Sequence, residues 1–234
     1  MEELPKYIIS HKRAGIDSLK LSRIVEESGY RPDALIGIWG GGAIVGRHVK
    51  DGLAGYGIKP TSFSASGRSY NEGKGNQSDG IEIYNMEELA AVIQSKRYRH
   101  LLPVDDISDT GRTEYAFSYI LKNGLRRADA IDRKIGVNGH VMNYFAMEAG
   151  NGRFLLKTPL IGDISPTDAE AKFAMLYTKP LANKTGAIPD FVVDEIPMTE
   201  GKYPWVVFPW ESVEDLTPGE LKANFPDFYR ALYE

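Results

Sequence analysis

The residues best suited to chemistry stand together in Leu101-Leu102-Pro103-Val104-Asp105-Asp106-Ile107-Ser108-Asp109-Thr110-Gly111-Arg112-Thr113. An apolar run ends in two adjacent carboxylates, a third follows, and a Thr-Gly-x-Thr turn opens an amphipathic segment. This order predicts a buried strand, an acidic lip at its carboxyl end, and a phosphate cradle where a helix starts. A glycine between hydroxyl side chains lets backbone N–H groups converge on one anion, with the positive end of the helix dipole behind them. Carboxylates beside a phosphate would repel it unless they hold something else, such as sugar hydroxyls or Mg²⁺. A ligand that combines a phosphate, a ribose diol and a bound metal satisfies every part. An acidic turn that only caps the helix, with Asp109 or Thr110 as N-cap, leaves Asp105 and Asp106 without a purpose. Pro103 cannot donate to a central ladder, so a bulge or a locally unpaired position is expected there.

The elements around this stretch read as alternating strands and helices. Asp17 to Gly29 reads as an amphipathic helix, with Asp17 or Ser18 as cap, a stripe of Leu19, Leu21, Ile24 and Val25, and Gly29 as its end. Ala34 to Trp39 reads as a first parallel strand, followed by Gly40-Gly41-Gly42 and a crossover helix. Thr61 to Ser66 and Ile81 to Tyr84 read as strands, Gly67 to Gly80 as a polar mobile loop, and Met86 to Ser95 as a helix. With Leu101 to Val104 as a strand and Thr113 to Leu125 as a helix, the pattern implies a doubly wound, mostly parallel α/β sheet. Beyond it, turns at Asn138-Gly139, Gly150-Asn151-Gly152 and Ser165-Pro166 mark an insertion, expected to serve packing or dimer contact. The next core strand waits until Phe173 to Tyr177.

Composition narrows the classes. The 234 residues suffice for one domain, or one core with a sizeable insertion, and 42% hydrophobic with 26% charged content is that of a globular protein. A net charge of −4 offers no basic footprint for nucleic acid. With no cysteine there is neither a disulfide nor a thiolate nucleophile, and the four scattered histidines lack metal-ligand spacing. The opening Met1-Glu2-Glu3-Leu4-Pro5-Lys6 has no signal-peptide pattern, and no apolar run has membrane-spanning length, so a cytoplasmic location is expected.

The 101–113 stretch resembles the 5-phosphoribosyl 1-pyrophosphate (PRPP) signature of the type I phosphoribosyltransferases: a hydrophobic strand, two acidic residues, two variable ones, then Asp/Ala-Thr/Ser-Gly-x-Thr. The resemblance implies that family's fold, with a core of about 17–125 and 173–183, an insertion of about 126–169, a small base-binding hood of about 184–211 and a C-terminal helix of about 217–233. Asp105 and Asp106 would hold the ribose hydroxyls and, with Glu211, Mg²⁺. Ser108, Asp109, Thr110, Gly111, Arg112 and Thr113 would take the 5-phosphate, and Asp109 would serve as the proton acceptor for the purine imidazole nitrogen. Gly40, Gly41 and Gly42 resemble the family's pyrophosphate loop, except that a cation usual at the first position is replaced by Gly40; Arg47 or Arg68 could substitute. Arg68-Ser69-Tyr70-Asn71 resembles the closing loop of the hypoxanthine-guanine branch.

Towards the C-terminus, Leu176-Tyr177-Thr178-Lys179-Pro180 and Trp205-Val206-Val207-Phe208-Pro209-Trp210-Glu211 resemble the 6-oxopurine branch. There Lys179 would donate to the purine 6-oxygen, Trp205 would stack on the base, and the Val206 backbone would face the two-position substituent, with Trp210 a core aromatic. A lysine facing that position favours guanine, hypoxanthine or xanthine over adenine, whose amino group would meet a donor with a donor. The resemblance thus implies an Mg²⁺-dependent transferase of purine salvage, joining PRPP to a purine base and assembled as a homodimer or homotetramer. Alternatives are a PRPP-sensing module without turnover, or a modified purine or pyrimidine as acceptor.

Overall fold

The computed structural model describes residues 5–70, 77–135, 141–150, 152–160 and 162–234. The first half alternates β1 (Lys6–Ile8), α1 (His11–Glu27), β2 (Ala34–Trp39), α2 (Gly41–Gly55), β3 (Thr61–Tyr70), β4 (Gln77–Tyr84), α3 (Met86–Lys96), β5 (His100–Ser108) and α4 (Arg112–Asn123). Strands then dominate: β6 (Asp132–Ile135), β7 (Val141–Ala149), β8 (Gly152–Thr158), β9 (Glu170–Ala171), β10 (Ala174–Thr178), β11 (Phe191–Glu195) and β12 (Trp205–Val207). Short helices α5 (Ser212–Asp215), α6 (Pro218–Asn224) and α7 (Pro226–Tyr233) close the chain.

The main sheet runs β11-β10-β5-β2-β3-β4-β8-β7-β6, with β9 lying against β5. From β11 to β3 every pairing is parallel, and the direction first reverses between β3 and β4. Alternation along the central strands supplies both faces of the sheet. Ile36, Ile38 and Leu101 turn to one side and pack with Met86, Ile93, Phe117 and Ile120 of α3 and α4. Leu35, Leu102 and Val104 turn to the other and pack with Leu21, Val25, Val45 and Leu53 of α1 and α2. A strand covered on both faces reads as a continuous apolar run, which is why β2 and β5 were visible in the sequence. This is a doubly wound, mostly parallel α/β fold.

Several elements depart from the sequence reading. Helix α1 starts six residues early, with Ser10 accepting from the Arg13 N–H at 3.2 Å as its cap. Asp17 and Ser18, expected as caps, lie buried inside the helix; Ser18 bonds back to the Ala14 carbonyl and Asp17 accepts from the Tyr177 hydroxyl at 2.5 Å. Gly29 does follow the helix end, at φ +79°. Of the segment read as a mobile loop, 67–70 and 77–80 continue β3 and β4, with Gly67 paired to Ile83, Arg68 to Glu82 and Tyr70 to Gln77, and 71–76 lie outside the described residues. Its Gly/Ser composition hid the strand, because the pairing is carried by backbone. At Pro103 the register with Ile36 of β2 is regular. On the other edge, pairing stops at Leu101 against β9 and resumes at Val104 against β10, so the proline sits where the ladder is interrupted.

The 126–169 segment is built into the sheet. Antiparallel β6, β7 and β8 extend it beyond β4 through a parallel β4–β8 pairing, and Phe145, Met147, Phe154 and Leu156 join the core. The expected single C-terminal helix is broken at Phe225, since Pro226 lacks the N–H that would continue α6. A second, two-stranded sheet forms where β1 pairs in parallel with β12. Among the described residues no helix is long and apolar enough to cross a membrane.

Candidate functional site

In an open parallel sheet, ligands bind beyond the carboxyl ends of the strands. Here the ends of β2, β5 and β10 lie side by side and carry Gly40, Asp105 to Ser108, and Lys179. The glycine loop is pressed onto the acidic pair. A Cβ on Gly41 would stand 1.6 Å from Asp106 Oδ2 and 2.4 Å from Trp210 Nε1, and one on Gly42 would stand 2.4 Å from the Val104 carbonyl oxygen and 2.8 Å from Asp105 Oδ1. Gly40 is required for a different reason. It has open space around it, but its φ of +119° and ψ of −134° belong to a region that only glycine enters readily. The cation missing from this position is therefore incompatible with the backbone found there. Arg47, a candidate substitute, is largely exposed and pairs with Asp51 at 3.0 Å. The side chains of Arg68, Ser69 and Tyr70, and the whole of Asn71, lie outside the described residues.

Three carboxyl groups of this lip are held up in pKa. Burial and then its neighbour Asp106 raise Asp105 well above the usual carboxylate range. Burial lifts Asp106 to about 6, against the pull of the Trp210 N–H. Glu211 reaches about 8 through burial, then through Asp106 and Asp215. Between the unfolded carboxyl range of about 4 and these values the folded chain binds more protons than the unfolded one. Stability in metal-free buffer is therefore expected to fall as pH rises from about 5 to about 8. Thermal melting across that range checks this, and a midpoint that rises with pH would contradict it.

Such a set of buried acids suits a hard cation, yet it is not a closed cage. Among the described residues no three His, Cys, Asp or Glu side chains are grouped so that they could hold one metal ion. The trio Asp105, Asp106 and Glu211 expected from the sequence is thus not a preformed metal centre. Mg²⁺ commonly binds through one or two carboxylates while ligand phosphates and water complete its octahedron, and Asp105 and Asp106 fit that mode.

The Thr-Gly-x-Thr turn follows directly. Ser108, Thr110 and Arg112 are buried, and Gly111, at φ +72°, is the N-cap of α4. The first N–H groups of a helix have no intrahelical acceptor, so the start of α4 presents donors to an anion. Glu114, in the first turn, is buried and its carboxyl is raised by that burial, opposed by the Ser108 hydroxyl. Across the turn, the Lys179 N–H donates to the Ser108 carbonyl at 2.9 Å, and Lys179 Nζ lies 3.4 Å from Asp109 Oδ2. Adjacent parallel strands thus bring together two residues seventy positions apart in sequence.

Both tryptophans pack against the core and each spends its indole N–H on a carboxylate. Trp205 packs with Ile8, Phe228 and Tyr229 in the C-terminal cluster, and its indole N–H donates to Asp215 at 2.8 Å. Val206 is buried in the core beside α1 and α2. Trp210, expected as a core aromatic, does pack against that core, its ring stacking on Phe208 at 5.0 Å, and its N–H also reaches the acidic lip, donating to Asp106 Oδ2 at 3.0 Å. A half-buried indole keeps its N–H paired, and the acidic lip supplies the acceptor.

No family model and no curated protein sequence matches the chain. Among solved structures it is similar to a hypothetical protein from Neisseria gonorrhoeae with bound ppGpp, at TM-score 0.57 and 17% identity over 97% of this chain and 99% of that one. It is also similar to the xanthine-guanine-hypoxanthine phosphoribosyltransferase of Helicobacter pylori, at TM-score 0.54 and 18% identity over 93% of this chain and 99% of that one. Likeness at these identities establishes the architecture, which is the type I phosphoribosyltransferase fold.

Proposed function

We propose that the protein is a purine phosphoribosyltransferase that moves the 5-phosphoribosyl group of PRPP to a 6-oxopurine (guanine, hypoxanthine or xanthine), releasing pyrophosphate in purine salvage. The observation that carries this reading is the meeting of Asp109 and Lys179, 3.4 Å apart, at one end of the acidic lip and phosphate turn. A carboxylate able to accept a proton and a cation able to meet a carbonyl oxygen stand beside a place for a phosphorylated sugar. In this reading Asp105 and Asp106 accept from the ribose hydroxyls, and the turn from Ser108 to Thr113 holds the 5-phosphate. Asp109 takes the imidazole proton of the purine. Gly40 to Gly42 bring backbone close to the pyrophosphate, and Mg²⁺ on the Asp105–Asp106 pair would neutralise that leaving group. The neisserial neighbour, with ppGpp bound, supports room in this fold for a guanine ribonucleotide carrying diphosphates.

The assignments of Arg68, Ser69 and Tyr70 to a closing loop, of Val206 to the two-position, and of a homodimer or homotetramer as the working form belong to the same proposal. Trp205 as the stacking residue requires a face left open beside its bond to Asp215, and Trp210 is the tryptophan nearer the sugar site. Gly40, without a cation, favours a second reading: a PRPP-binding regulatory module without turnover.

Pyrophosphate release from PRPP and Mg²⁺, with guanine, hypoxanthine, xanthine, adenine, uracil and orotate offered separately, decides between them. Release with an oxopurine and little with adenine is the expected result. PRPP binding without release for any base would replace the transferase by the sensor.

A further inference from the structure

The loop after Lys179 does more than connect β10 to β11. Asn183 folds it into a tight turn: its Oδ1 accepts from the N–H groups of Thr185 at 3.0 Å and Gly186 at 2.9 Å, and its Nδ2 donates to the Ala187 carbonyl at 2.5 Å. The turn then grips the phosphate turn from behind. The Lys184 N–H donates to the Thr110 carbonyl at 3.0 Å, and the Thr185 hydroxyl, buried, donates to the Gly111 carbonyl at 2.9 Å. Two consecutive residues thus reach two consecutive carbonyls, and the Gly111 carbonyl is shared between Thr185 and the Tyr115 N–H of α4 at 3.0 Å. Gly111 is glycine partly for this reason, since a Cβ there would lie 2.5 Å from Thr185 Oγ1 and 2.9 Å from the Ala187 carbonyl oxygen.

The inserted hairpin backs the same contact. Gly150, in the β7–β8 turn at φ +53°, lies so close that a Cβ would stand 2.8 Å from the Lys184 carbonyl oxygen. The Tyr115 hydroxyl of α4 donates to the Glu148 carbonyl at 2.5 Å, and Phe154 of β8 lies under the Arg112 guanidinium at 5.7 Å. Insertion, loop and helix start therefore form one layered support.

We propose that Thr185 is a positioning residue for the 5-phosphate: by anchoring the 183–187 loop on Gly111 it keeps the Thr110 and Gly111 carbonyls turned back, so that the N–H groups at the start of α4 face the anion. This rests on reading the Ser108–Thr113 turn as a phosphate site. It also gives the insertion a role, as the backing of that anchor.

The test compares the full-length wild type with Thr185→Val, which keeps the shape and removes the hydroxyl that bridges Gly111 and Ala187. Affinity for PRPP is measured by calorimetry, and KM and kcat from pyrophosphate release. The valine loses the bond to the Gly111 carbonyl and the one the hydroxyl accepts from the Ala187 N–H at 3.2 Å, and is expected to weaken PRPP binding and raise its KM by about three- to tenfold. The base KM and kcat are expected to stay within about twofold, and Thr185→Ser is expected to restore PRPP affinity. A merely structural role would move both KM values and kcat together, and that pattern overturns the proposal. So does Thr185→Val binding PRPP like the wild type. Should the valine variant not fold, Asn183→Ala, which slackens the turn presenting Thr185, is expected to give the same selective loss, and unchanged PRPP affinity there also overturns it. A folded wild type that fails to bind PRPP at all would reject the phosphate reading itself, a different result from a wild type that binds and a variant that binds equally.

Discussion

Asp109→Ala is expected to slow turnover by about 10²- to 10⁴-fold, the usual worth of a positioned general base, while PRPP affinity changes by no more than about threefold. The separation follows from where the side chain stands. Asp109 is at the tip between the acidic lip and the phosphate turn, with its carboxylate 16% exposed and directed at Lys179. The sugar hydroxyls are assigned to Asp105 and Asp106, and the phosphate to backbone N–H groups, so neither interaction loses a partner. Removing a negative charge beside the phosphate works, if anything, in favour of PRPP binding. Single-turnover rates and calorimetry on the same variant measure the two effects. Activity within threefold of wild type would remove Asp109 from the reaction, and a large loss of PRPP affinity would move it into the sugar site.

What the sequence revealed, and what it hid, follows from how locally each feature is encoded. Strands β2 and β5, both faces covered, were readable as apolar runs, and the acidic lip and Thr-Gly-x-Thr turn were contiguous along the chain. The doubly wound order followed from their alternation with helices. Contacts between distant segments were not legible. Nothing in the residues around Trp210 states that Gly41 leaves the space through which its indole meets Asp106, because that space is defined by three separate segments. Thr185 likewise gains its meaning only when the loop after β10 folds over α4. Ser10 is not legible as a cap because the polar residues after it, His11, Lys12 and Arg13, mask the start of the helical stripe. The outer parts of β3 and β4 read as strands, but their continuation into 67–70 and 77–80 reads as loop because these polar, Gly- and Ser-bearing residues carry little strand preference and their pairing depends on the neighbouring strand.

Lys179→Ala is the second large effect expected, and here the change is in selectivity. Lys179 is nearly buried, 6% exposed, and holds three donors, of which one faces Asp109 at 3.4 Å. The proposed reading assigns another to a carbonyl oxygen on the purine. A hydrogen bond from a charged donor contributes about 1.5–3 kcal/mol, so its loss is expected to lower kcat/KM for guanine or hypoxanthine by about 10- to 100-fold. Adenine should lose much less, because its six-position amino group gains nothing from the lysine. The preference for oxo over amino purines should therefore collapse towards parity. The same substitution also takes a partner from Asp109, which would slow every acceptor alike. The ratio between acceptors isolates the recognition role from that shared loss, so kcat/KM for hypoxanthine against adenine is the quantity to measure. A variant that is slower overall but equally selective would leave Lys179 as the partner of Asp109 and nothing more, and the specificity would have to come from elsewhere in the site.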